Sequence, residues 1–496
     1  MRLIVIASLL FGFITVSSPS LAANCGGLPV DGGVIPAGTY TLTDNCYITD
    51  MLVVESFDTV TINGNGYALD GSNTYSILEV EEDAILNLNN VIVRNGYIDD
   101  YGGGIFGYPY STINITGSTI TNNHSTDDGG GIFVAPESVL TITSSVISGN
   151  ISDDDGGGIA TEVDVVLTII GSTISGNISG DDGGGVSIDF GTIATIRNSS
   201  IIGNSAADGG GGVSADELSE LTIINSTIAN NSAYDGGGIN VEDESYAIVI
   251  HSTIVNNGAT MGDGIFVEDT GTSLSLVNSI VSGNGAANCL TQDGALLDNG
   301  GNMENGNSCG FADYPNTDPM LSGLTNGFMF PYQGSPAIDA APDCAGLTND
   351  QIGTSRPNGA GCDIGAIEWT DSFYIPAPPM CNTISDVSAY GLPDGVYCRV
   401  LMRNGAWMTD AGTVPGNLVQ ANPILAVDVF RITGQSVTSD DFGGYVQICL
   451  PGTGRLIFLD ARTSPRAEVE ITPVEFINGS TCGWIPNAGT LVLIPR

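Results

Sequence analysis

Four aspartates, Asp128, Asp155, Asp182 and Asp235, stand in one relation to a recurring phrase: each lies four residues before the aliphatic residue that follows Gly-Gly-Gly. Asp127, Asp153, Asp154, Asp181 and Asp208 crowd the same places. If successive repeats stack, carboxylates recur about every 4.8 Å along one column, a separation at which like charges repel even in water. Two chemistries answer that repulsion. Either each aspartate sits in a hydrated turn and bonds local backbone, or the column holds a hard cation. Calcium, with six to eight oxygen ligands, suits such a column, although the spacing is not the Gly-Gly-x-Gly-x-Asp nonapeptide of calcium β-rolls. No motif requires any other cofactor.

The remaining reactive side chains assemble no catalytic set. His251 falls in a column of small polar turn residues, which gives it a structural role, and His124 follows the asparagine of its own repeat at an exposed place. Arg94 and Arg197 are the only arginines within the repeats, and Arg197 sits beside the turn column. The glycine phrases open no helix and carry no lysine, so they are not phosphate-binding loops. Ten cysteines, Cys25, Cys46, Cys289, Cys309, Cys344, Cys362, Cys381, Cys398, Cys449 and Cys482, show no Cys-x-x-Cys spacing. In an exported chain they read as disulfides of open connectivity, none of them between Cys46 and Cys289.

The elements that must position these groups follow from the period. The aliphatic marker recurs at Ile105, Ile132, Ile159, Val186, Val213, Ile239 and Ile265, and an asparagine marker at Asn123, Asn150, Asn177, Asn204, Asn231, Asn257 and Asn284. Both keep steps of 26 or 27 residues. Each unit holds three short alternating runs, such as 131–134, 140–143 and 145–147, and no stretch of helical period. The expectation is an all-β chain built on a right-handed parallel β-helix of three strands per coil. Ile115, Ile142, Ile169, Ile196, Ile223, Val249 and Leu276 would fill its interior. Gly117, Ser144, Gly171, Asn198, Asn225, His251 and Asn278 would form a bend column two residues on.

The glycine-rich and aliphatic-x-x-Asn phrases resemble the repeats of polymorphic outer membrane proteins, and the coil pattern is similar to the pectate-lyase-like superfamily. Asn316-Thr317-Asp318-Pro319, Gly334-Ser335-Pro336-Ala337-Ile338-Asp339-Ala340, Asp350-Gln351 to Arg356-Pro357, and Cys362-Asp363-Ile364-Gly365-Ala366-Ile367-Glu368 closely resemble the choice-of-anchor Q domain. That resemblance implies a bacterial secreted or cell-surface protein whose β-helix ends over residues 300–369. The superfamily resemblance implies carbohydrate chemistry as the alternative, a polysaccharide lyase or a glycoside hydrolase. Arg197 would be the candidate lyase base, and the Gly-His-Gly and Arg-x-Lys phrases of polygalacturonases are absent.

Composition sets the compartment and excludes partners. Arg2, the apolar run from Leu3 to Val16 and the small residues to Ala22 read as a secretory leader over 1–22. No later stretch is apolar enough for a transmembrane helix in the mature chain. The chain has no lysine, and its net charge of −44 excludes nucleic acid as a partner. The expected order is a leader (1–22), an N-terminal cap (23–50), the parallel β-helix (51–299), its choice-of-anchor Q-like end (300–369), a Pro-rich linker (370–380) and a β-sandwich-like domain (381–496). Residues 381–496 hold seven arginines and ten acids, against three and 45 over 23–380, which marks the boundary. Function reads as an exported or cell-surface scaffold, non-enzymatic, binding carbohydrate or a surface protein. Carbohydrate-active enzyme is the competing reading.

Overall fold

The structure, a computed structural model, describes residues 25–370 throughout and, beyond them, strands between Ser388 and Ile494. The leader and nearly all of the Pro-rich linker lie outside the described residues. A coil is typified by strands Ile132–Val134, Val139–Thr143 and Val146–Ser148, each pairing in parallel with the strand 27 residues on. Repetition gives three parallel sheets of eleven strands each. The chain is a right-handed parallel β-helix. Strands Gly33–Val34, Gly38–Thr41 and Cys46–Tyr47 already pair in parallel with the next coil, so the N-terminal segment is the first coil and closes the open end. Met303–Glu304 is the last strand of the third sheet. Among the described residues no helix is long and apolar enough to cross a membrane.

The registers fix what each position touches. Ile115, Ile142, Ile169, Ile196, Ile223, Val249 and Leu276 are mutual partners in the second sheet and are fully buried. Burying each such side chain contributes about 1.5–3 kcal/mol. The bend column two residues on takes positive φ throughout, from 44° at His251 to 57° at Gly117. Glycine and asparagine tolerate that conformation, which is why they dominate there. The glycine phrases solve a different problem. A Cβ at Gly157 would lie 2.4 Å from the carbonyl carbon of Ile178 one coil away, so only glycine lets the backbones approach.

The asparagine marker is a hydrogen-bond ladder inside the stack. Asn177 donates from its backbone N–H and from Nδ2 to Asn204 Oδ1, both at 3.0 Å, and from Nδ2 to the Ile147 carbonyl at 3.1 Å. Its own Oδ1 accepts the same pair from Asn150. All four hydrogen-bonding positions of the amide are filled. Ser118, Ser145, Ser172, Ser199, Ser226, Ser252 and Ser279 run a parallel ladder, each backbone N–H meeting the next serine's Oγ or, at the end, Asn302 Oδ1.

Beyond Glu304 the chain does not simply close the end of the helix. It turns back and straps the outside of the third sheet across several coils. Gln351 Nε2 donates to the Ser199 carbonyl at 2.7 Å and its Oε1 accepts from Thr227 Oγ1 at 2.7 Å. Asn225 and Asn278 donate to the carbonyls of Asn349 and Asp343. Ala229, Val255, Ile280 and Met303 of the sheet bury against Met329, Ala337, Ala341 and Ile364 of the strap. Within the strap, buried Arg356 pairs with Glu368 and donates to the carbonyls of Asp363 and Gly365. Disulfides Cys25–Cys46, Cys289–Cys309 and Cys344–Cys362 staple the first coil, the last coil and the strap.

Residues after 387 form one four-stranded and one seven-stranded sheet, with antiparallel pairing throughout. Cys449 and Cys482 stand opposite one another in register, but the side chains of Cys381, Cys398, Cys449 and Cys482 lie outside the described residues.

Two outcomes test this architecture. Asn177→Leu removes the acceptor of two buried donors and the donor to two acceptors, and is expected to cost about 3 kcal/mol of unfolding free energy in urea titration. His251 is fully buried, its Nδ1 donating to the Asp363 carbonyl at 3.1 Å and its Nε2 accepting from Asn278. Burial, then the nearby Arg356 guanidinium, pushes its pKa down to about 3. The unfolded chain therefore binds more protons below about pH 6.5, and the strap loses stability as pH falls from there towards 3. At pH 5 the loss amounts to about 2 kcal/mol, and His251→Gln should abolish that part of the acid sensitivity in melts at pH 7 and pH 5.

Candidate functional site

The site grows from the shape of the first-sheet strands. Three-residue strands bury their first and third side chains, as Ile132 and Val134 are buried, and turn the middle one to the outer face. In register, that outward column reads Phe106, Phe133, Ala160, Ser187, Ser214, Asn240, Phe266. It is the floor of a groove. On one side run the turns that carry Asp128, Asp155, Asp182 and Asp235. On the other side stand acids three residues after the aliphatic marker in five consecutive coils, namely Glu162, Asp189, Asp216, Glu242 and Glu268. Its sequence signal is an acid three residues after the aliphatic marker, single in each coil and so weaker than the aspartate runs that precede the glycines.

The aspartates behave as a stack with a break. Asp128 Oδ1 accepts the Asp155 backbone N–H at 3.0 Å, and Asp155 Oδ1 accepts that of Asp182 at 2.7 Å. Asp182 Oδ1 accepts from Gly209, because the next coil has glycine where an aspartate would stand. Gly209 separates Asp235 from the other three, so the four aspartates do not form an unbroken column. Each of the first three therefore accepts from the backbone of the next coil, not from its own local turn, and is set into a half-buried wall.

Burial, with neighbouring carboxylates adding to it, raises the whole set. The pKa of Asp155 is pushed up to about 8, of Asp182 to about 7 and of Asp128 to about 6. Across the groove Glu242 rises to about 8 and Asp216 to about 6, and Asp235 also reaches about 6, burial leading in each case. The groove concentrates negative charge that needs either protons or a cation.

Along its length the groove changes character. At the N-terminal end Tyr101 and Phe106 pack on Phe133, ring centroids 4.6 Å and 5.4 Å away, and Phe106 meets Tyr108 edge-on. Further along, small polar side chains replace the aromatics and a cavity of about 240 Å³ opens, lined by Asp182, Asp208, Asp216, Asp235, Asn240 and Glu242. Carboxylate oxygens of Asp182, Asp216 and Glu242 lie within 4.8 Å of one another.

The other sequence candidates stand elsewhere. Arg94 pairs with Asp70 at 2.8 Å, and Arg197 is exposed at the end of second-sheet strand Ile193–Arg197. His124 Nε2 meets Asp153 at 3.0 Å on a short outer sheet. None of them lines the cavity.

Residues 130–309 match the family model described as right handed beta helix region. That span carries the polar part of the groove and most of both walls, while Tyr101, Phe106 and Tyr108 precede it. Among solved structures, the crystal structure of pectate lyase Pel9A is similar at 11% identity over 68% of this chain and 87% of that one, with a TM-score of 0.32. No curated protein matches the sequence.

Asp128 offers a test of the wall that leaves the cavity alone. Its folded pKa lies above the unfolded value of about 3.8, so its contribution is present at low pH and is lost as pH rises through about 6. Asp128→Asn keeps the acceptor for Asp155 and removes the charge. At pH 8 it should be more stable than the parent by about 1 kcal/mol after solvent screening, seen as a higher melting temperature, and the two should converge near pH 4.

Proposed function

We propose that the protein is an exported β-helix scaffold that binds a neutral, hydroxyl-rich glycan chain along the groove of its first sheet. The observation that carries this reading is the groove itself: partly exposed Tyr101, Phe106 and Tyr108 at one end and, beyond them, two walls of carboxylates repeating coil by coil. Aromatic faces suit the apolar faces of sugars, and carboxylate oxygens accept hydrogen bonds from hydroxyls. The same charge repels uronates and other polyanions. An extended polymer fits a site that repeats along an axis. The leader, the disulfides and the resemblance of residues 300–369 to the choice-of-anchor Q domain support a secreted or cell-surface location.

The competing reading, hydrolysis of such a glycan, has its own support in the cavity. Asp216, with a pKa of about 6, and Glu242, with one of about 8, could divide the roles of base and acid at neutral pH.

Binding to an array of neutral and charged glycans, followed by a reducing-end assay on whichever glycan binds, separates the readings. Retention of neutral oligosaccharides without product release is expected, and Tyr101→Ala and Phe106→Ala should each weaken binding about fivefold. Product release abolished by Glu242→Gln would establish the hydrolase, and preference for uronate polymers would sink both.

A further inference from the structure

The second sheet turns a different face outward from the acidic first. In its five-residue strands the second and fourth side chains fill the interior and the first, third and fifth point out, as buried Leu167 and Ile169 alternate with Val166, Thr168 and Ile170. Register places Val166 and Ile193 on one edge of that face, Thr168 and Thr195 in the middle, and Ile170 and Ile224 on the other edge. Val166 is 43% exposed and Ile193 50%. Over the strands from Thr59–Asn63 to Ala295–Asp298 the outward positions hold two charged side chains, Arg197 and Glu220, so the face is neutral in a chain of net charge −44. Its amides are already satisfied along their column: Asn114 Nδ2 donates to Asn87 Oδ1 at 3.0 Å, and Asn87 Nδ2 to Thr61 Oγ1 at 3.2 Å. Covering such a face leaves few polar groups unpaired. The strap buries the apolar outer face of the third sheet and leaves that of the second in solvent. A continuous apolar face of this kind marks an interaction surface.

The two charges say what covers it. Of the three arginines between residues 25 and 370, Arg94 pairs with Asp70 and Arg356 with Glu368, while Arg197 is exposed and meets no carboxylate among the described residues. Arg197 is the register partner of Ile224, and Glu220 that of Ile193, so the two charges stand one coil apart on opposite edges. About 13 Å of strand separates those edges, too far for the pair to form within one molecule.

We propose that the outer face of the second sheet is the isologous interface of a homodimer, in which Arg197 of each copy pairs with the partner subunit's Glu220. A two-fold axis along the solenoid lays the fifth-residue edge of one sheet over the first-residue edge of the other. Arg197 then stands over the partner subunit's Ile193, one coil or about 4.8 Å from its Glu220, across sheets packed about 10 Å apart. The same operation forms the reciprocal pair. The rims select this axis. Acids such as Glu137, Asp164 and Asp243 follow the first-residue edge, and the bend column, which holds no acid, follows the other. An axis along the solenoid sets acidic rim against bend column, whereas one along the strands would set acid against acid. The area suffices. Strands about 4.8 Å apart and about 16 Å long, ten of them, offer about 800 Å² per copy, the share that a stable interface takes from each partner. The dimer leaves both first-sheet grooves open and running in the same direction, and it does not depend on what they bind.

Sedimentation velocity and light scattering on the full chain, over a range of concentrations at physiological salt, test the interface. A dimer at micromolar concentration is expected. Val166→Asp and Ile193→Asp, each of which buries two carboxylates in the packed face, should leave monomer. Arg197→Glu and Glu220→Arg should each weaken association about tenfold or more, because like charges then face one another. The double exchange of Arg197→Glu with Glu220→Arg should restore it. Ile178→Asp, at an exposed place between the third and first sheets, should leave the dimer intact, and circular dichroism checks that every variant keeps its β-structure. Monomer at every concentration, a dimer indifferent to the substitutions on the face, or a double exchange no better than either single one would overturn the interface. So would a monomer whose residues 381–496 become protease-sensitive in Val166→Asp, since the face would then be covered from within the chain.

Discussion

In-register parallel stacking is the constraint on which everything else depends. Each backbone pairs with its copy 26 or 27 residues away, so whatever side chain a position carries is repeated along the axis at about 4.8 Å. Apolar residues profit, because like packs on like in the interior. A polar side chain can be buried only if it satisfies itself in the column. Asparagine does this, since its amide can accept from the coil before and donate to the coil after, and the ladder from Asn123 to Asn284 is the outcome. Serine accepts likewise from the coil before, and its hydroxyl donates to the carbonyl two residues back in its own coil.

The same repetition makes the outer face costly. A carboxylate that serves one turn well, by accepting the next coil's N–H, becomes a row of like charges when every turn uses it. Burial within the groove sharpens the conflict, which is why Asp155 and Glu242 are held so far above the ordinary carboxylate range. A departure from the repeat relieves it locally. Gly209 removes one carboxylate, and that gap is where the cavity opens and where Asn240 brings a neutral amide. Function in a solenoid is most readily located where the repeat is broken rather than where it is kept.

The strap answers another problem of the fold. A stack exposes the outward side chains of each sheet, and on the third sheet Ala229, Val255, Ile280 and Met303 are apolar. Folding residues 305–369 back over them buries that face, and the buried Arg356–Glu368 pair, with Asp363 and Asp350 hydrogen-bonded around it, holds the strap in one conformation. Such a pair adds little net stability over an apolar replacement but makes loss of one partner expensive.

The sequence by itself determined the coil, its three strands, the inward column from Ile115 to Leu276 and the bend column that includes His251. Those are periodic, and period survives without coordinates because equal spacing means equal environment in a stack. It also supplied the aspartate turns, since four positions before a marker is a spacing anyone can count. Tertiary structure alone decided that Asp216 and Glu242 face Asp182, because they sit on opposite walls and come from different coils. It decided too that Gly209 is a gap rather than another flexible glycine, since a Cβ there would collide with Asn240 Nδ2 and Asp182 Oδ1. The strap was legible as a segment but not as a path: a non-repeating chain has no period to reveal which coils it crosses, and only the contacts of Gln351 and Asp363 fix its direction.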